Sequence, residues 1–145
     1  MSLTATLRVW TRRGDQLSLG TSGQRTFFGS DRPIDIAVAP GSPDRIAVSR
    51  GASSHWGSPF VQDFDDGHWL GGAYGDVEQI TFGDDESTLY GWGDDRLQRM
   101  IVGTSGIDVI DTVDGLQSNR SGHMLHQDGI LYAGDGSAVA AKDWS

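Results

Sequence analysis

The chain has no cysteine and, in 145 residues, a single lysine, Lys142. Without cysteine there is no disulfide scaffold, no thiolate zinc site and no thiol nucleophile, and the redox compartment stays open. Basic residues number 11 against 20 acidic ones, which leaves a net charge of -9. That balance lacks the basic footprint that displaces counterions from nucleic acid or docks a protein on anionic membranes. No apolar run approaches the roughly 18 residues of a membrane-spanning helix. No apolar h-region follows Met1, so no secretory signal is expected. Also missing is any stretch that joins a 3.6-residue apolar period to an N-cap.

What is present is glycine and alternation. The 21 glycines are about twice the average usage of about 7%, and they separate short apolar stretches. Within those stretches apolar residues alternate, as in Leu7/Val9, Ile36/Val38, Ile46/Val48, Ile80/Phe82 and Ile107/Val109. Period-two stretches between Gly, Asp, Ser and Pro clusters read as half-buried antiparallel strands. The class is all-β.

The stretches recur. Ile36, Val38, Ile46 and Val48 find counterparts 44 residues on in Ile80, Phe82, Tyr90 and Trp92. A third copy, MLHQDGILYAG, puts Met124 and His126 a further 44 residues along, with Tyr132 standing 42 beyond Tyr90. These positions, with Met124 and Tyr132, are expected to be buried between adjacent sheets. The turns are expected at Pro40–Asp44, Asp84–Ser87 and Gln127–Gly129. A second hairpin follows the first in each of two units, Phe60–Phe64 with His68–Ala73 and Leu97–Val102 with Ile107–Val113. The N-terminus adds the pair Ala5–Trp10 and Gln16–Leu19, and the C-terminus a last strand at Ala138–Asp143. Four strands in roughly 40–50 residues is the unit of a β-propeller blade. The expected fold is a partial β-propeller of four-stranded antiparallel blades, two whole with terminal half-blades. Residues 4–31 would give outer strands, 33–75 and 76–118 the whole blades, and 121–145 an incomplete one.

The segments SPDRIAVSRG, ITFGDDESTLYGW, LQRMIVGTSGIDVIDTVDGL and DGILYAGDG resemble repeats of bacterial propellers of the YVTN or surface-layer-like kind. The resemblance covers most of residues 33–142, although the YVTN tetrapeptide itself is absent. It implies part of a longer ring, in a large secreted or cell-surface protein.

Candidate chemistry is sparse. Calcium takes six to eight oxygens, and the EF-hand spacing D-x-D-x-D-G is not met by Asp63-Phe64-Asp65-Asp66-Gly67. In a straight strand Asp108 and Asp114 share a face and Asp111 takes the other. The acidic clusters are expected to serve turns and solvated ends, with Asp63, Asp65 and Asp66 at one such hairpin end. His123 and His126 would point to opposite faces of one strand, leaving His126 a packed core side chain. No nucleophile elbow or phosphate loop is present. Blade topology gathers the longer loops at one end, with Arg32, Arg50, His55, Trp56, Asp94, Asp95, Asn119, Arg120 and His123 as the candidate ligand-binding face. Tight turns at Gly14, Asp44, Gly67, Asp85, Gly106 and Asp128 fall at the other.

The expected function is therefore a non-enzymatic recognition or scaffold module, with no catalytic residue, metal or cofactor. Its expected partners are a second copy of the chain in a homodimer and a protein or carbohydrate ligand, without nucleic acid or membrane insertion. The alternatives are a propeller enzyme of the hydrolase, lyase or quinoprotein kind, and a calcium-dependent carbohydrate binder.

Overall fold

The computed structural model describes residues 3–13, 16–27, 32–51, 60–63, 69–72, 77–93, 95–104, 106–115, 122–134 and 139–144. Every described strand pairs antiparallel, and no helix occurs among these residues. Strands β1 (Leu3–Arg13) and β2 (Gln16–Phe27) form a hairpin of their own. Sheet 1 holds β3 (Arg32–Ala39), β4 (Ser42–Gly51), β5 (Phe60–Asp63) and β6 (Trp69–Gly72) in chain order. Sheet 2 holds β7 (Gln79–Phe82), β8 (Thr88–Gly93), β9 (Arg96–Gly103) and β10 (Gly106–Asp114). Sheet 3 has three strands, β11 (His123–Gln127), β12 (Ile130–Gly134) and β13 (Val139–Asp143).

Turn chemistry sets the hairpins. Asp128 and Gly129, at φ 53° and 77°, make the two-residue turn of opposite hand that suits the twist of paired strands. Pro40 and Gly41, the latter at φ 75°, join β3 to β4 with proline and glycine where a type II turn wants them. Between β7 and β8 the Asp85 carboxylate does the work instead. Its Oδ1 accepts from the Ser87 amide, the Ser87 hydroxyl and the Thr88 amide, each at 2.8 Å.

Sheet 2 is the middle layer, because alternation sends its large residues to both faces. Ile80, Phe82, Leu89 and Met100 point one way and pack with Ala39 and Ala47 of sheet 1 and with Val77. Tyr90, Trp92 and Leu97 point the other way, onto Leu131 and Ala133 of sheet 3. The first strands β3 and β11 both pack against β7, and the last strands β6 and β10 lie beside each other. One edge of the stack is thus lined by β3, β7 and β11.

Three of the residues expected inside are not. Ile36, Val38 and Tyr132 are exposed, whereas Ile46, Val48, Ile80, Phe82, Tyr90 and Trp92 are buried and Met124 is half-buried. The reason is direction. In β3 the residues facing sheet 2 are Asp35, Ala37 and Ala39, so Ile34, Ile36 and Val38 face away from it. The repeat positions also differ in parity. Val38 pairs with Ile46 across its hairpin, but Phe82 pairs with Leu89, which turns Tyr90 to the opposite face. A bulge between Val38 and Ala39 moves the β3–β4 turn to Pro40–Gly41, shorter than Pro40–Asp44. A second bulge, between Val109 and Asp111, corrects the acidic strand. The extra residue puts Asp108, opposite Ile101, on the same face as Asp111, opposite Arg99, and Asp114 on the other.

Candidate functional site

Each sheet has two ends, and their chemistry differs. At the end of the β3–β4, β7–β8 and β11–β12 turns, side chains reach from sheet to sheet. The Ser42 hydroxyl donates to Glu86 Oε2, and Arg45 Nη1 lies 3.5 Å from the same oxygen. His126 is buried, stacked on Tyr90 with ring centroids 5.2 Å apart. Its Nδ1 lies 3.3 Å from Asp84 Oδ1, at an angle that falls short of a hydrogen bond. Farther along, the Ile80 amide donates to Asp35 Oδ2 at 2.9 Å, and the Ser49 hydroxyl donates to the Glu78 carbonyl. These contacts tie sheet 1 to sheet 2 and sheet 2 to sheet 3.

Two groups here have shifted acidities. The Ser87 hydroxyl, donating to Asp85, holds that carboxyl below the usual carboxylate range, against a smaller opposing effect of burial. Burial pushes the Tyr90 phenol up, because the phenolate would lose its water. Tyr90 stacks also on Trp144, at 5.1 Å and 10° between planes, and the Trp144 indole N–H donates to Asp111 Oδ2 at 3.1 Å. Trp144 was not singled out by the sequence pattern. It lies just beyond the last strand, where no alternation marks its partner.

The opposite end carries the residues expected to bind. Arg32 begins β3 opposite Gly51, and Arg50 lies opposite Pro33 at the same end of sheet 1. Asp95 sits in the β8–β9 turn of sheet 2 at φ 64°, and its carbonyl accepts from the Gly115 amide at 2.9 Å. His123 begins β11 of sheet 3, opposite Gly134, and is exposed. These four therefore share one end of three successive sheets, each sheet contributing its own. His55, Trp56, Asp94, Asn119 and Arg120 lie outside the described residues, as do Asp65 and Asp66. Sequence reasoning missed the exposed cross-strand pair Arg96–Asp114, 3.3 Å apart beside Asp95, although opposite charges in register were its signal. Among the described residues no three His, Asp or Glu side chains converge as a metal site would require. No described helix is long and apolar enough to cross a membrane.

Comparison with known proteins gives the class of fold. No family model matches the chain, and no curated protein matches it. Solved structures do, and they are WD40 β-propellers. Sqt1 of Chaetomium thermophilum, solved bound to the N-terminus of the ribosomal protein L10, matches with a TM-score of 0.55 at 15% identity over 81% of this chain. A second crystal structure of Sqt1 from the same organism matches at 0.53 and 16% identity over 79% of the chain. The chain is an all-β protein of antiparallel sheets with a propeller-like arrangement. It spans 39% and 35% of those chains.

Proposed function

We propose that the chain is a non-enzymatic recognition module of four-stranded propeller blades, which binds a protein ligand at the end bearing Arg32, Arg50, Asp95 and His123. The observation that carries this reading is the division of labour between the two ends. One end is occupied in joining sheet to sheet through Glu86 and Asp84, with Asp85 holding the turn between them in place. The other presents exposed groups of both signs, among them Asp95, Arg96, Asp114 and His123. Loops and strand ends on a rigid scaffold are the usual carriers of recognition. That Sqt1 was solved with a bound segment of a ribosomal protein supports a protein partner in general. The resemblance to YVTN and surface-layer-like repeats supports a place within a larger secreted or cell-surface protein, where the module also pairs as a homodimer.

A peptide array probed with the purified chain tests the binding face. Asp95→Asn keeps a side chain that tolerates positive φ, and with His123→Ala it should weaken every peptide that binds, at unchanged melting temperature. Full binding by the double variant would refute this placement.

A further inference from the structure

We infer that His126 and Asp84 hold a divalent transition-metal ion, of the zinc type, across the joint between sheets 2 and 3. The inference goes beyond the binding face and lies at the opposite end of the sheets. His126 stands on β11, and Asp84 stands in the turn between β7 and β8 of the neighbouring sheet. The side chain of His126 is 4% exposed, yet its Nδ1 has no hydrogen-bond partner. Leaving a buried polar atom unpaired is costly, so this nitrogen calls for a partner that the chain does not itself supply.

The spacing says which partner fits. Nδ1 lies 3.3 Å from Asp84 Oδ1, off the line that a hydrogen bond would take. A charge-assisted hydrogen bond would bring the two atoms to about 2.7–2.9 Å. Two ligands of one tetrahedral ion, each bonded at about 2.0–2.1 Å, stand about 3.3–3.4 Å apart. Such an ion sits to one side of the line joining its ligands, so that line need not follow the imidazole axis. The donor set narrows the ion further. Imidazole suits zinc, copper or nickel, whereas calcium and magnesium take oxygen ligands.

The surroundings suit the same ion. The turn that carries Asp84 is fixed by Asp85, which accepts from the Ser87 and Thr88 amides. The exposed carboxylates of Asp84 and Asp85, on a chain of net charge -9, draw cations to this turn. The Asp84 side chain is 69% exposed, so an ion can enter from solvent and water can complete its coordination. No third His, Asp or Glu among the described residues joins the pair, and two protein ligands make an exchangeable site rather than a resident one. The repeat builds it once. His126 takes the place held by Val38 and Phe82 in the preceding units, where no nitrogen ligand stands. Once bound, the ion clamps β11 of sheet 3 onto the β7–β8 turn of sheet 2.

Zinc chloride added to the chelator-treated full chain tests the site, read by thermal melting and isothermal titration. One ion should bind per chain and raise the melting temperature by several degrees at saturation, since it binds the native state. Calcium at the same concentration should leave the melting temperature unchanged. Asp84→Asn and His126→Phe should each abolish the zinc shift. Asp84 is exposed, and phenylalanine is the residue that holds the place of His126 one unit earlier, so both variants keep the fold. A chain with His55, His68 and His123 all replaced by Ala, which leaves His126 as its one imidazole, should keep the shift. No shift with zinc would overturn the site. A shift that survives Asp84→Asn or His126→Phe would also overturn it and mean an adventitious ion only. An equal shift with calcium would overturn the imidazole as ligand. Peptide binding at the Asp95 end is measured without zinc, so none of these outcomes bears on it.

Discussion

Single positions carry the packing between sheets 1 and 2. A Cβ on Gly91 would lie 2.6 Å from Val77 Cγ1 and 2.8 Å from Met100 Cε. Neither neighbour has open space to retreat into, since both are buried in the same cluster. Gly91→Ala should therefore destabilise by about 1–3 kcal/mol, read from urea unfolding. Phe82→Ala, which empties a ring from the same cluster, should cost about 3–5 kcal/mol. A loss below about 1 kcal/mol on that scale would mean that the ring is not packed as described. Asp85 gives a pH signature. Its lowered carboxyl pKa means that its turn contributes stability above the ordinary value of 3.8, lost as pH falls through the lowered native value. Asp85→Ala should accordingly melt below wild type at about pH 7, and the gap should close near about pH 2.

At the scale of strands, β3 meets sheet 2 through Ala37 and Ala39 and through one carboxylate. Asp35 Oδ1 accepts from its neighbour's amide, while Oδ2 reaches Ile80 of the next sheet, each at 2.9 Å. Asp35→Leu would leave the Ile80 N–H without that acceptor, and should cost about 1–3 kcal/mol. Asp35→Asn, which keeps one carbonyl acceptor, should cost less, and equal losses would speak against the bond. The existence of most strands and their 44-residue spacing were legible, because alternation and turn residues are local signals. Which face each strand turns inward was not. That depends on parity, and an odd number of extra residues, three on β4 opposite Val38/Ala39 and one at Val109/Asp111, reverses it. The acceptor role of Asp35 was not legible for the same reason, since it depends on an amide 45 positions away. Of the candidate face, topology placed the strand-end residues Arg32, Arg50 and His123 at one end, but charge pairing of Arg96 with Asp114 required the register.

For the whole molecule, sheet 2 stands covered on both faces, while sheet 3 exposes Leu125, Tyr132 and Val139 on one face and sheet 1 exposes the strip of β3 at Ile34, Ile36 and Val38. All six positions of β8 are buried and all five of β13 are exposed. Stability should be graded accordingly, because local opening frees least where most apolar surface is covered. Amide hydrogen exchange should be slowest in β8 and fastest in β13. The reverse order would show that the layers do not open from the outside.

The contact between Ser42 and Glu86 has a consequence for how such a chain can arise. The two residues stand 44 apart, so they hold the same place in successive units, yet one donates the hydrogen bond and the other accepts it. A place that meets itself one unit on cannot be filled identically in every unit. Copies of a glutamate unit would set carboxylate against carboxylate, and copies of a serine unit would lose the Arg45 partner. Tandem duplication could lay down the spacing, but this joint demands that the duplicates then diverge. A consensus sequence averaged over the units would erase that asymmetry and loosen the stack it was meant to perfect.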